Sequence, residues 1–385
     1  MAIVPGEVVR LFRQHFGGNR TPDVYRAPGR VNLIGEHTDY NLGFVFPIAL
    51  DMACYAAIAP ASHGKLQVYS REAASGFAVN VRDIGEAKPQ KNWSDYVIGV
   101  ARELVRAAVP LAGADLYIAS EVPAGSGLSS SAAIEVATAF ALLGGRKLDA
   151  LAIARLAQRA EGQFVGMPCG IMDQYASVFG HANAAIQIDC RDLSHEYVEL
   201  PRKLRIVAVN SMVKHELGTS AYRERVAECR AAVEAIQHTH PEVQSLRDVS
   251  PELFKEVEES IPELPRKRAR HVISDSQRVL DLGAAARAGD VPGMGQLFVD
   301  SHRSMRDDYE ITCEEIDYLV ERALRIPAVY GARMTGGGFG GCTVNLVAPE
   351  VEERFRHELA ADYRKHFGID AAFYDCVPAA GASRV

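Results

Sequence analysis

The sequence predicts an α+β protein of two domains. Three observations carry this expectation. Its 385 residues exceed what one small core organises. Strand-like and helix-like segments mix without the strict alternation of a doubly wound sheet. A charge-rich stretch broken by prolines, residues 240 to 270, then changes the character of the second half. The division is expected within residues 190 to 203, giving units of residues 1–195 and 196–385.

Composition excludes several function classes. The formal net charge of −7 argues against a general nucleic-acid binder, which presents a basic face. Seven cysteines, an odd number with no Cys-x-x-Cys pair, fit neither a disulfide framework nor a zinc site, so a reduced, cytoplasmic setting is expected. No stretch approaches 18 apolar residues and the first residues lack a long apolar core, so neither secretion nor membrane insertion is expected.

Residues 4 to 16 read as a helix with Val8, Val9, Leu11, Phe12 and Phe16 roughly on one side, stopped by Gly17 and Gly18. Residues 44 to 59, 66 to 70 and 115 to 120 read as strands. After "PAGSGLSSS" a helix carries Ala133, Val136, Ala137, Phe140 and Leu143 on its apolar stripe and ends at Gly144-Gly145. A second helix follows over about 148 to 164, then a buried strand at 204 to 211 and a helix from Ser220 to about Ile236. Residues 240 to 270 read as a surface excursion. "YGARMTG" and "CTVNLVAP" are strands on either side of a glycine run.

Four stretches hold candidate chemistry. "GRVNLIGEHTDYN" (29 to 41) crowds polar side chains directly after apolar ones: a surface turn, or a site that grips hydroxyl groups. "PAGSGLSSSAA" (123 to 133) places Gly125 and Gly127 before Ser129, Ser130 and Ser131 at a helix start. Inward-turned N–H groups and the helix dipole would cradle phosphate there, although a serine cap after a flexible turn is the plain alternative. "TGGGFGGCTV" matches G-x-G-x-x-G at Gly336, Gly338 and Gly341, but a strand follows where a dinucleotide site needs a helix. It is either a tight hairpin or a loop against a ligand. Asp173 falls in the first turn of a short helix after "CGIMDQ", where it either complements the dipole or accepts a proton; Glu161 lies twelve residues before it. No Walker A sequence, no H-E-x-x-H and no G-x-S-x-G elbow is present.

Together these stretches resemble the GHMP family of small-molecule kinases, and "GRVNLIGEHTDYN" is similar to the signature of the galactokinases within it. "GMPCGIMDQ", "NSMVKHELGTSAYRER" and "SHRSMRDDYEITCEEID" are similar to galactokinase segments as well, and the resemblance runs in order from about residue 25 to 346. It implies a mixed-sheet N-terminal domain of the ribosomal S5 domain 2 type, a ferredoxin-like C-terminal domain carrying the glycine loop 335–341, and an active site in the cleft between them. The implied activity is Mg2+- and ATP-dependent phosphorylation of the C1 hydroxyl of α-D-galactose to galactose 1-phosphate, with ADP as the other product and galactose catabolism as the setting. The resemblance assigns Asp173 as catalytic base and Arg30 as the cation beside the reacting groups. Glu36, His37, Thr38, Asp39, Gly170 and Tyr222 would bind the sugar. Gly125, Ser126, Gly127, Leu128, Ser129, Ser130 and Ser131 would wrap the triphosphate, with Ser131 and Glu161 as Mg2+ ligands. Trp93 and Tyr96 are open between an adenine contact and core packing.

One departure stands out: the commonest form of the signature has glycine or glutamate where Leu42 stands, with little effect expected because Gly43 follows. Two other readings compete. A sister kinase would act on N-acetylgalactosamine or arabinose. A non-catalytic sensor would bind galactose and ATP to regulate a partner, but such regulators lack part of the serine-alanine run that is complete here. A monomer that meets small molecules, and neither nucleic acid nor membrane, is expected.

Overall fold

The computed structural model describes residues 3–18, 20–214 and 218–385. His215, Glu216 and Leu217, within one of the galactokinase-like segments, lie outside the described residues. Strands are β1 (Asp23–Asn32), β2 (Phe44–Val45), β3 (Pro47–Pro60), β4 (Lys65–Ser70), β5 (Ser75–Asn80), β6 (Ala114–Ser120), β7 (Ala184–Asp189), β8 (Ser194–Glu199), β9 (Arg205–Lys214), β10 (Val329–Thr335), β11 (Gly340–Val347), β12 (Ala372–Asp375) and β13 (Ser383–Arg384). Helices are α1 (Pro5–Phe16), α2 (Ser94–Arg106), α3 (Ser130–Leu143), α4 (Ala150–Arg159), α5 (Met172–Phe179), α6 (Gly218–Gln237), α7 (Pro251–Val257), α8 (Glu263–Ala288), α9 (Val291–Ser304), α10 (Glu314–Leu324) and α11 (Glu352–Phe367).

The first sheet runs β13-β1-β3-β6-β4-β5 and is mixed, because β4 pairs parallel with β6 while its other pairings are antiparallel. α3 packs on β1 and β3. It is apolar nearly all round, with Ala132, Ala133, Val136, Ala137 and Leu142 all buried, as a helix between a sheet and other helices must be. Gly144, at φ +56°, ends it.

β1 was not marked by the sequence pattern, since Pro28-Gly29 reads as a turn. In the structure that dipeptide is an irregularity in the β1–β3 ladder, where the register shifts between Pro28 and Arg30. Gly29 is required there: a Cβ would lie 2.6 Å from the Leu128 carbonyl oxygen. The next amide, Arg30 N–H, donates to that same oxygen at 3.1 Å.

The second sheet is antiparallel, in the order β10-β11-β9-β12. With helices between β9 and β10 and between β11 and β12, this is the ferredoxin-like topology expected. Alternation along β9 sends Ile206 and Ala208 into the core of the first sheet and Val207 and Val209 toward α10 and α11. The main core therefore continues through both halves of the chain. β8 spans the expected boundary at 195/196, so the chain changes sheets only over residues 200–204. Its last strand, β13, returns to pair with β1.

The stretch 240 to 270 is a correction. Val243, Leu246, Val249, Phe254, Val257 and Ile261 are buried in a core of their own with Cys229, Ile236, Ala269 and Tyr309. Two of its prolines open helices, Pro251 at the start of α7 and Pro262 just before α8, so they punctuate packed structure where a surface excursion was expected. All seven cysteines are free, and no described helix is long and apolar enough to cross a membrane.

The packed reading has a direct measurement. Phe254→Ala should lower unfolding stability by about 3–5 kcal/mol, as for a buried aromatic. A loss within about 0.5 kcal/mol, as for a surface position, would return the segment to the surface.

Candidate active site

Segments remote in sequence meet over a cavity of about 170 Å³, walled by Arg30, Glu36, His37, Asp39, Glu161, Gly170, Asp173, Tyr222, Gly336 and Gly337 among others. A wider groove of about 730 Å³ lies between residues 199–206 and the tail at Asp375–Pro378. It holds none of these groups, so the smaller cavity is where the chemistry converges.

The irregularity at Gly29 aims Arg30 inward, where it is 5% exposed. Its Nε and Nη2 stand 2.8 and 2.6 Å from Asp173 Oδ1, and Nη1 donates to the Gly127 carbonyl at 2.6 Å. The Ser129 hydroxyl donates to the other carboxylate oxygen of Asp173. Ser129 adopts φ +60°, a left-handed conformation that a non-glycine residue holds only when its surroundings enforce it. Asp173 is thus oriented from two sides in the first turn of α5, as its sequence position suggested.

The glycine-serine loop divides its tasks. Gly125 and Gly127 take φ +72° and +82°. Ser126 is buried, donating to the Pro123 carbonyl and accepting from Leu128 N–H, so its hydroxyl shapes the loop. Ser130 and Ser131 stand in the first turn of α3. Gly336 and Gly341 face this loop so closely that a Cβ on either would lie 3.3 Å from the Gly127 or Ser126 carbonyl oxygen. The second glycine run is therefore neither a free hairpin nor a dinucleotide loop. It packs directly against the glycine-serine loop.

Glu161 follows α4 on a single π-helical turn, Ala160–Val165. Burial, and then the negative charge of Asp173, push its carboxyl up to about 7, against hydrogen bonds from Ser131 and Gln174. Gln174 Nε2 bridges Glu161 and the fully buried Glu135, at 2.6 and 3.0 Å. Burial first, then Glu161, holds the Glu135 carboxyl well above the usual range. A crowd of carboxyls with this deficit of positive charge suits a cation. The Ser131 hydroxyl and Glu161 carboxylate offer it hard oxygens beside the anion cradle. Two protein oxygens suffice for Mg2+, which keeps much of its water; no larger ligand cluster occurs among the described residues.

The loop after β1 holds the remaining predicted residues. Glu36 is 1% exposed and accepts from the Arg333 guanidinium, from Gly336 N–H at 3.2 Å, and lies 3.2 Å from the Thr335 hydroxyl. Asp39 lies against Gly170 so tightly that a Cβ there would fall 1.7 Å from its Oδ2. Burial, then Asp173, raise the Asp39 carboxyl to about 6. Tyr222, from α6, closes the cavity with its ring centroid 4.8 Å from that of His37.

His37 is neutral, burial having lowered it to about 3. Its Nε2 faces the Gly337 carbonyl at 3.3 Å, and a carbonyl only accepts, so the proton sits on Nε2. Nδ1 then accepts from the Tyr40 hydroxyl at 2.8 Å, Tyr40 from Tyr309 at 2.7 Å, and Tyr309 from the Cys229 thiol at 3.1 Å. Every donor in this chain has one direction. His37 ties the loop after β1 to the glycine loop while presenting its ring to the cavity.

Thr38 departs from its expected place. Its hydroxyl lies 2.9 Å from the Gly35 carbonyl and 2.6 Å from that of Phe44, away from the cavity, so it closes the turn. Leu42 takes φ +59° with its side chain 39% exposed. Glycine would be unstrained there, so the departure costs the backbone on the order of 1 kcal/mol and leaves the cavity unchanged. Trp93 donates to the Ser75 hydroxyl and packs beside Phe77. Sequence reasoning missed Arg333, Thr335, Asp275 and His271. Their signals were faint: a lone arginine inside the apolar strand "YGARMT", and a histidine and an aspartate just past the segment taken for surface.

The chain is similar to known proteins over nearly its whole length. The galactokinase galactose-binding signature matches residues 10–60, and the GHMP kinase N-terminal and C-terminal domains match residues 95–181 and 283–365. A galactokinase of Roseiflexus sp. (strain RS-1) is 45% identical over 99% of this chain and 97% of its own, and one of Glaesserella parasuis is 43% identical over 96% of each. The structure of Lactococcus lactis galactokinase complexed with galactose superposes with a TM-score of 0.95, at 34% identity and full coverage of both chains. Methanococcus jannaschii mevalonate kinase, at 17% identity and a TM-score of 0.68 over 94% of this chain and 100% of its own, shares the fold alone. With a full-length likeness at this level of identity, and the matched segments meeting at one cavity, the chain belongs to the galactokinase family of GHMP kinases.

Proposed function

We propose that this protein is a galactokinase, transferring the γ-phosphoryl group of ATP to the C1 hydroxyl of galactose. The observation that carries the reading is the convergence of Glu36, Asp39, Arg30 and Asp173 on one cavity walled by Gly336 and Gly337, with the first glycine loop bound to Arg30 through the Gly127 carbonyl and to Asp173 through the Ser129 hydroxyl. Asp39 and Glu36 supply acceptors for sugar hydroxyls, and Gly170 leaves Asp39 the space it needs. A buried site built to satisfy each hydroxyl rejects an epimer, which would leave a polar group unpaired.

The amides of residues 125–131 and the start of α3 receive the triphosphate. Asp173, held by Arg30 and Ser129, orients the C1 hydroxyl and accepts its proton. Arg30 lies between that carboxylate and the Gly127 carbonyl, so its charge also faces the phosphoryl group in transfer. Ser131 and Glu161 would hold Mg2+, which supplies charge neutralisation on the phosphates. Phosphoryl transfer of this kind depends on positioning and electrostatics more than on covalent chemistry. The mixed-sheet and ferredoxin-like halves would act as the two jaws.

The test is ATP consumption with galactose, glucose, N-acetylgalactosamine, arabinose and mevalonate, with and without Mg2+. Turnover on galactose that requires Mg2+ and leaves phosphate on C1 is expected. Turnover on another sugar alone would reassign the pocket, and binding without turnover would bring back the sensor.

Two further outcomes follow from the site. Asp173→Asn should lower kcat by about 10²–10⁴-fold, the usual range for a lost general base, while calorimetry still detects galactose binding; near-normal kcat would remove Asp173 as the base. Asp39 must be ionised to accept fully from the sugar, and its carboxyl is raised to about 6. At saturating ATP and Mg2+, kcat/KM for galactose should therefore fall as pH drops through about 6. A profile flat down to pH 5 would exclude this role.

A further inference from the structure

The loop that carries Glu36 belongs to the first half of the chain, yet the groups that hold the Glu36 side chain come from the end of β10. Arg333 is fully buried and Glu36 is 1% exposed, so neither charge has water to stabilise it. The Arg333 Nη2 binds the Glu36 carboxylate and stands 3.3 Å from Met305 Sδ, while Nη1 donates to the Leu33 carbonyl at 2.9 Å. One planar fork thus brackets residues 33 to 36, fixing the loop's backbone and its acid together. Thr335 and Gly336, the second and third residues after Arg333, approach the remaining carboxylate oxygen.

A lysine cannot reproduce two parallel contacts from one rigid plane. From the other side, α8 holds the backbone of the same turn. Asp275 accepts from Gly35 N–H at 3.2 Å, and His271 Nε2 lies 3.2 Å from the Glu36 carbonyl. The charged and titratable groups around Glu36 are therefore Arg333 on β10 and Asp275, His271 and Arg278 on α8. Among them Arg333 is the cation that touches the carboxylate. Burial and Asp275 both disfavour the charged form of Glu36, and Arg333 opposes them.

We propose that Arg333 is a positioning residue of the sugar site: from the opposite half of the molecule it fixes the Glu36 carboxylate in the orientation that receives the sugar hydroxyl. It does not line the cavity and acts only through Glu36. The inference rests on the reading of Glu36 as a sugar contact.

The test is a double-mutant cycle of Glu36→Gln and Arg333→Met, with Arg333→Lys as the charge-conserving variant, reading KM for galactose, KM for ATP, kcat and Tm. Arg333→Lys should raise KM for galactose roughly 10- to 100-fold, the scale on which partners of ligating groups act, with KM for ATP changed by less than about 3-fold. In the Glu36→Gln background, Arg333→Met should add little to KM for galactose, since both lose the same interaction. The double variant should also melt higher than Arg333→Met alone, because it no longer buries an unpaired carboxylate.

Effects on KM for galactose that multiply, equal rises in both KM values, or a double variant that melts no higher than Arg333→Met would overturn the proposal. Thermal melting decides even where Arg333→Met is too unstable to assay. The two readings separate cleanly. A Glu36→Gln enzyme with unchanged KM for galactose would bring down the sugar contact itself, and the proposal with it. A raised KM in Glu36→Gln with multiplying effects would bring down the role of Arg333 alone.

Discussion

Backbone meets backbone where the two halves of this molecule touch. Gly127 and Ser126 on one side and Gly336 and Gly341 on the other approach to a distance at which a single added carbon would press on a carbonyl oxygen. The part of the site shared between the halves depends on this contact. It lets β10 end beside Glu36 and lets His37 find a carbonyl of the second glycine loop. A side chain at Gly336 or Gly341 would press the facing carbonyl back by a few tenths of an ångström and strain a backbone held at positive φ.

Around that contact the site is a set of constraints more than a set of ligands. Asp173 is oriented by Arg30 and Ser129, Asp39 by the absence of a side chain at Gly170, and Glu36 by β10. His37 has its tautomer dictated by a carbonyl and the hydroxyl chain behind it. Preorganisation of this kind suits a reaction in which the protein forms no bond with the transferred group. Its contribution is to hold charges where charge will develop.

Much of this was legible in the sequence, and the reasons are physical. A glycine forced into a positive φ is a local demand, so Gly125, Gly127 and Gly336 announced their loops. Helices with regular apolar stripes, such as α1 and α4, announced themselves in the same way. What stayed hidden was non-local. β1 was masked because Pro28-Gly29, a turn signal in isolation, serves as an irregularity in a paired strand. Residues 240 to 270 looked solvated because their charges are conspicuous. Of their buried positions, Phe254 lies on the short helix α7 while Val243, Leu246 and Ile261 lie between helices, so no single period joins them. Arg333 gave one odd charge in an apolar strand, and nothing in the chain says that its partner lies at Glu36. Thr38 was misplaced for the opposite reason: standing within a signature, it was given the task of its neighbours.

The return of the chain to its starting sheet has a consequence for biosynthesis. β13 pairs with β1, the strand that carries Arg30, and Ala379 and Gly381 lock onto Ala49 and Gly180. Until residues 379–385 have been made, β1 presents an open edge, the kind of surface on which one nascent chain recruits another. Closing that edge with residues 379–385 therefore shields the strand that carries Arg30 from pairing with another chain.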